Sequence, residues 1–207
     1  MRNIGNLFVV AAPPGAGKTS LIREVLKQLH DIEVSISHTT RLPRSGEIHG
    51  VDYFFIAQEQ FFAMIKNHEF VEYAEVFHHY YGTSIAQIKT RLQHGIDIVL
   101  DIDWQGAEQI KNIFPESLGI FILPPSLMEL EKRLLDRAQD NIDIIKLRME
   151  QVKTALQRYI KFDYLILNDD FQRAITELMA IVIANRVSIA RQNIKLEKLL
   201  SFLLTSQ

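Results

Sequence analysis

The sequence predicts an α/β fold with a parallel sheet at its core. Two observations predict it. An apolar run at residues 7–11 passes through Ala12-Pro13-Pro14-Gly15-Ala16-Gly17-Lys18-Thr19 into residues 20–29, where Leu21, Ile22, Val25, Leu26 and Leu29 recur at helical spacing. Further apolar runs at 96–102, 118–123 and 162–167 alternate with helical segments, an order that lays strands in parallel with helices on the faces.

Strand, glycine-containing loop ending in Lys-Thr, then helix is the context of a phosphate-binding loop. Glycines let successive N–H groups turn inward, and the helix N-terminus adds partial positive charge. Lys18 is then placed to reach the β- and γ-phosphates, and Thr19 to ligate magnesium. The usual first glycine of the pattern is Ala12 here.

The other elements follow in order. Residues 34–37 alternate as a short strand, and Pro43 and Gly46 make the next stretch a loop. Residues 51–56 read as an aromatic strand, 58–68 as a short amphipathic helix, and 70–77 as a strand with one face buried. Tyr80 to Ser84 reads as a turn, with His78 and His79 as surface residues. Residues 84–94 form a helix stopped by Gly95, and 106–114 a helix stopped by Pro115. A charged helix at 127–138, a polar tip at 139–143 and a helix at 144–160 precede the strand at 162–167. Asp169 or Asp170 then caps a long helix from Phe171 to about Arg191. The apolar C-terminal stretch, Ile194 to Leu204, is too short to span a bilayer; packing on the core is the safer reading, an oligomer interface the other.

Composition bounds the partners. The chain has 207 residues, 47% hydrophobic and 23% charged, which suits a soluble protein of one compact domain or of one domain with inserted lobes. A net charge of −2 implies no global attraction to nucleic acid or an anionic membrane. There are no cysteines, so disulfides and thiolate metal sites are excluded. The N-terminal apolar run is too short for a signal peptide and leads straight into the phosphate loop, so a cytoplasmic location is expected.

Four constellations accompany the loop. Asp101 and Asp103 end a buried strand, where a carboxylate holds magnesium through water or caps the next helix. Arg41 and Arg44 flank Pro43, either as a clamp on a dianionic phosphate or as two solvated loop residues. Tyr80-Tyr81-Gly82-Thr83-Ser84 offers hydroxyls around a glycine. Arg133 and Arg137 share a helix face, with Arg148 beyond the polar tip. They read either as a solvated face or as a lid that closes over polyphosphate.

Taken together, APPGAGKTSL, VSISHTTRLPRSGEIHGVDYFF, FVEYAEVFHHYYGTS, VLDIDWQGA, FILPP and YLILNDDF resemble, in order, the guanylate kinase family of nucleoside-monophosphate kinases, its bacterial members in particular. The resemblance implies a P-loop NTPase fold with a parallel sheet core, a small strand-rich GMP-binding lobe at about 37–83 and a helical lid at about 126–159. The core then comprises 1–36, 84–125 and 160–207. It implies transfer of the γ-phosphoryl group of ATP to GMP with magnesium as cofactor, and ATP and GMP as partners. By motif position, Ala12 to Ser20 and Asn168 are ATP-side residues. Ser37, Glu72, Thr83 and Asp101 are guanine-side residues, joined by Gly82. Arg41, Arg44, Tyr53 and Tyr81 hold the GMP phosphate, Thr19 and Asp101 the magnesium. Lys18, Arg41, Arg133, Arg137 and Arg148 serve the transferring group.

Chemistry supports these roles independently. Guanine presents N1–H and N2–H, and a carboxylate such as Glu72 accepts both, whereas adenine presents a bare N1 lone pair that a carboxylate repels. The acceptor phosphate is already ionised, so alignment and cations supply the catalysis. Two departures from bacterial relatives stand out: His78-His79, where Gly-Asn is frequent, and Ala138, where glycine commonly follows the arginine. Two rival readings remain at this level: a kinase of the same loop type with another phosphorylated acceptor, and a guanylate kinase-like module that binds peptides without catalysis.

Overall fold

The computed structural model describes residues 5–136, 149–150 and 152–205. In chain order the elements are β1 (Leu7–Ala11), α1 (Lys18–Gln28), β2 (Ile32–Val34), β3 (His38–Thr39), β4 (Phe54–Phe55) and α2 (Gln58–Lys66). Then come β5 (Phe70–Val76), β6 (His79–Ser84), α3 (Ile85–Gln93), β7 (Asp97–Asp101), α4 (Trp104–Ile113) and β8 (Leu118–Leu123). The chain continues through α5 (Leu127–Asp136), β9 (Tyr164–Leu167), α6 (Phe171–Arg186) and α7 (Ile189–Thr205).

The expected parallel sheet is present, with strand order β2-β7-β1-β8-β9. β1 lies at its centre, and all its residues are buried. Alternate residues of a strand face opposite sides. Phe8 and Val10 therefore pack with Leu21, Val25 and Leu178 of α1 and α6, while Leu7 and Val9 pack with Ile88 and Ile110 of α3 and α4. The loop after β1 leaves the carboxyl end of this central strand, where open α/β sheets bind ligands.

A second sheet, ordered β4-β3-β6-β5, stands apart from the first. Here sequence and structure differ. Tyr80 to Ser84, read as a turn, belongs to β6, the antiparallel partner of β5. The turn lies one step earlier, at Phe77 and His78, both with positive φ (51° and 62°). That backbone matches the twist of a tight hairpin, but it is uncommon outside Gly, Asn and Asp, so composition gave no signal for it. The strand expected at 34–37 is not formed there: residues 35–37 connect β2 to β3, and the strand expected at 51–56 shortens to β4. α1 begins at Lys18 rather than Ser20, and α4 begins at Trp104 rather than Gly106, because the Asp103 side chain accepts from the N–H of Gly106.

Three expectations near the C-terminus are corrected. β9 was expected to be buried but forms the sheet edge: Ile166 packs under α6, and Leu165 and Leu167 are exposed. The long helix breaks at Val187 and resumes as α7. α7 does not pack on the core, and none of its residues is buried. Among the described residues, no helix is long and apolar enough to cross a membrane.

Candidate active site

The phosphate loop is built as its residue types require. Gly15 and Gly17 have φ of 86° and 91°, in the left-handed region that favours glycine. Gly17 directly precedes α1, so the helix N-terminus opens onto the loop. Asn168 is buried and donates from its side-chain amide to the carbonyl of Ala16 at 2.7 Å. A Cβ on Gly17 would sit 2.5 Å from that amide nitrogen. Asn168 therefore braces the loop from beneath.

Asp101, at the end of β7, faces this loop. It accepts from the Thr19 hydroxyl at 2.8 Å and pairs with Lys18 Nζ at 2.7 Å. Lys18 also donates to the carbonyl of Ile102. Asp103, the second candidate at this strand end, is the cap of α4. A hydroxyl and a carboxylate side by side suit magnesium, which keeps several waters and takes few protein ligands.

Of the guanine-side candidates, Ser37, Glu72 and Thr83 come together, whereas Asp101 contacts the phosphate loop instead. Glu72 and Thr83 are opposite one another on β5 and β6, and the Thr83 hydroxyl donates to Glu72 Oε1. Ser37 Oγ lies 3.4 Å from Thr83 Oγ1. Regular alternation would expose one of two adjacent residues, yet Val71 and Glu72 are both buried. A register shift between Phe70 and Glu72 accounts for it, since a bulge re-aims the side chain that follows. Burial, with a smaller contribution from the charge of Asp103, pushes the Glu72 carboxyl up to about 7, against the pull of Thr83 and Lys18. Gly82 stands behind this pocket: a Cβ there would meet Phe61 and Phe70 at 3.0 Å, so it serves packing.

The phosphate-side candidates assemble in part. The Arg41 guanidinium lies 5.4 Å from the centroid of Tyr53, whose ring meets Tyr81 edge-on at 5.9 Å. Burial, aided by the charges of Asp101 and Tyr81, raises Tyr53 to about 12, so its phenol remains a donor. Glu47 went unnoticed in the sequence. One carboxylate oxygen takes Arg41 at 2.8 Å and the other takes the backbone N–H of Arg44 at 2.7 Å. Arg44 itself is exposed and joins the cluster through that backbone bond. The signal for Glu47 was an acid inside an arginine-rich loop, which by charge pattern alone is indistinguishable from a surface residue.

Of the lid candidates, Arg133 is described and pairs with Glu129 at 3.0 Å. Arg137, Ala138 and Arg148 lie outside the described residues. The base of this region packs on the phosphate loop: Leu130 and Val152 are buried against Ala16, with Ala12 and Met149 beside them.

The sequence matches the guanylate kinase family profile over residues 4–185. The chain belongs to the guanylate kinase family. It is 57% identical over 205 residues to the guanylate kinase of Legionella pneumophila strain Lens, covering 99% of this chain and 98% of that one. The guanylate kinase of Escherichia coli K12 is 50% identical over 202 residues, covering 97% and 98%. The crystal structure of guanylate kinase from Anaplasma phagocytophilum superposes with a TM-score of 0.77 at 28% identity, covering 92% of this chain and 91% of that one. As a member of this family the chain is a P-loop nucleoside-monophosphate kinase in fold and class.

Proposed function

We propose that the chain transfers the γ-phosphoryl group of ATP to GMP, giving ADP and GDP, with dGMP as a second acceptor, in purine nucleotide metabolism. The observation that carries this reading is the buried Glu72–Thr83 pair with the half-buried Ser37 beside it. Its carboxylate accepts both guanine donors, and a site built on such bonds rejects an analogue lacking them by up to about 10⁴–10⁵.

Residues 12–20 hold the triphosphate through loop N–H groups and the start of α1, with Asn168 keeping the loop in shape. Arg41, Tyr53 and Tyr81 grip the acceptor phosphate, with Arg44 closing over it, and Asp101 lies between the two halves. Thr19 and Asp101 would hold magnesium, which neutralises charge on the β- and γ-oxygens when bound. An oxygen of the GMP phosphate forms a bond to the γ-phosphorus as the bond to the β-bridging oxygen breaks and ADP leaves. No proton needs to move. Lys18 and the lid arginines Arg133, Arg137 and Arg148 stabilise the equatorial oxygens as charge spreads onto them.

The core, acceptor lobe at about 37–83 and lid at about 126–159 form the three working parts of this reading. A cytoplasmic setting, without nucleic acid or membrane as partner, fits the near-neutral charge. Self-association fits the exposed apolar residues of α7. Incubating purified protein with ATP, magnesium and GMP tests the reaction by ADP release. Turnover is expected from wild type. Lys18→Ala should cut it about 10²–10³-fold with an unchanged circular dichroism spectrum. Absence of wild-type turnover contradicts the proposal.

A further inference from the structure

Gly106 occupies the first turn of α4, in ordinary helical backbone, with no positive φ. Nothing in its own conformation calls for glycine, and alanine is the better helix former. The space beside it gives the reason. A Cβ on Gly106 would sit 2.6 Å from Glu72 Oε2, 3.2 Å from its Cδ and 3.3 Å from Ile102 Cδ1. No carbon and carboxylate oxygen approach to 2.6 Å without one of them moving.

We propose that Gly106 is a specificity-determining position: its missing side chain is the space that lets the Glu72 carboxylate stand where guanine meets it. The inference rests on the reading of Glu72 as the guanine acceptor and adds a positioning residue to it. Glu72 is held on its other side, where Thr83 fixes Oε1 from β6 and the bulge at Val71 sets the strand. With Oε1 anchored, Oε2 is the atom a methyl group at residue 106 would displace. Glu72 is 4% exposed, so solvent offers it no room to retreat. Gly106 also gives its backbone N–H to the Asp103 cap at 2.9 Å, a bond alanine retains. The effect of a methyl group there is thus directed at the carboxylate rather than at the helix.

The test is a double-mutant cycle at residues 72 and 106, with kcat/KM measured for GMP and for AMP and KM measured for ATP. Gly106→Ala is expected to lower kcat/KM for GMP about 10²-fold, the scale of an ångström of misplacement. The ratio of GMP to AMP use should narrow, and KM for ATP should stay within twofold. In the Glu72→Ala background, where the carboxylate is gone, the same change should alter GMP use less than twofold. Thermal melting accompanies each variant. Should Gly106→Ala fail to fold, the double variant is expected to fold, because the methyl group then has space. Unchanged GMP kinetics in Gly106→Ala overturn the proposal. So does an equal loss in both backgrounds, or a folding defect that removing Glu72 does not relieve. Failure of the underlying reading appears separately, as wild-type protein that does not prefer GMP.

Discussion

Glu72 concentrates the electrostatic cost of this site. Its carboxyl titrates near 7 in the folded chain against about 4.5 in an exposed peptide, with burial as the main cause. As pH rises through 4.5 the unfolded chain releases this proton first, while the folded chain keeps it until about 7. The folded state therefore binds more protons across this window, and stability falls from pH 4.5 to 7. Above that window the penalty is on the order of 3 kcal/mol. Glu72→Gln removes it, so the variant should melt several degrees above wild type at pH 8 and close to it at pH 5. Equal differences at both pH values would refute the assignment. The same substitution should weaken discrimination between GMP and AMP, because an amide has one acceptor oxygen and sets its NH2 against the second guanine donor. At this scale the sequence was informative about which motif residues meet in the fold: Lys18 and Thr19 meet Asp101, and Glu72 meets Thr83. It was uninformative where function depends on what a neighbour excludes. Glu47 and Gly106 act through contacts that only the folded chain brings together.

At the scale of elements, the phosphate loop depends on a strand far from it in sequence. Asn168 follows β9, the last strand of the sheet, and its amide reaches Ala16 across 152 residues. Asn168→Ala leaves a buried carbonyl unsatisfied, at a cost of about 1–3 kcal/mol. It should raise KM for ATP while leaving KM for GMP within about twofold; equal effects on both substrates would contradict its role as a brace of the donor loop. Periodicity identified β1, β7 and β8 because strands buried on both faces read as continuous apolar runs. It misjudged β9, since an edge strand covered on one side has the same composition. It missed β6, whose Tyr-Tyr-Gly-Thr-Ser sequence resembles turn chemistry, although its hairpin turn falls on Phe77 and His78.

At the scale of the whole molecule, one buried charge ties the end opposite the site. Asp97 is fully buried at the start of β7 and pairs with Arg186 of α6 at 2.7 Å and Arg191 of α7 at 2.5 Å, and it accepts from the N–H of Asn6. Removing the carboxylate leaves two half-buried guanidinium groups without their counter-charge, so Asp97→Ala should destabilise the fold by about 3 kcal/mol, the low end for a buried pair. Folded variant should keep its KM values for both nucleotides; a selective change in either would contradict a purely structural role. These pairs span 89 and 94 residues, so no local pattern announces them. They also explain how α7 is attached while its apolar residues stay exposed. The fold thereby separates an anchored end of β7, at Asp97, from a working end at Asp101, which faces the phosphate loop. The central claim is that this working end reads guanine through Glu72. A panel of GMP, AMP, CMP and UMP as acceptors, with ATP and magnesium held constant and ADP release followed, tests it most directly. Turnover with GMP is expected at least about 10³-fold above the other three in kcat/KM; comparable rates across the panel would contradict guanine reading by Glu72.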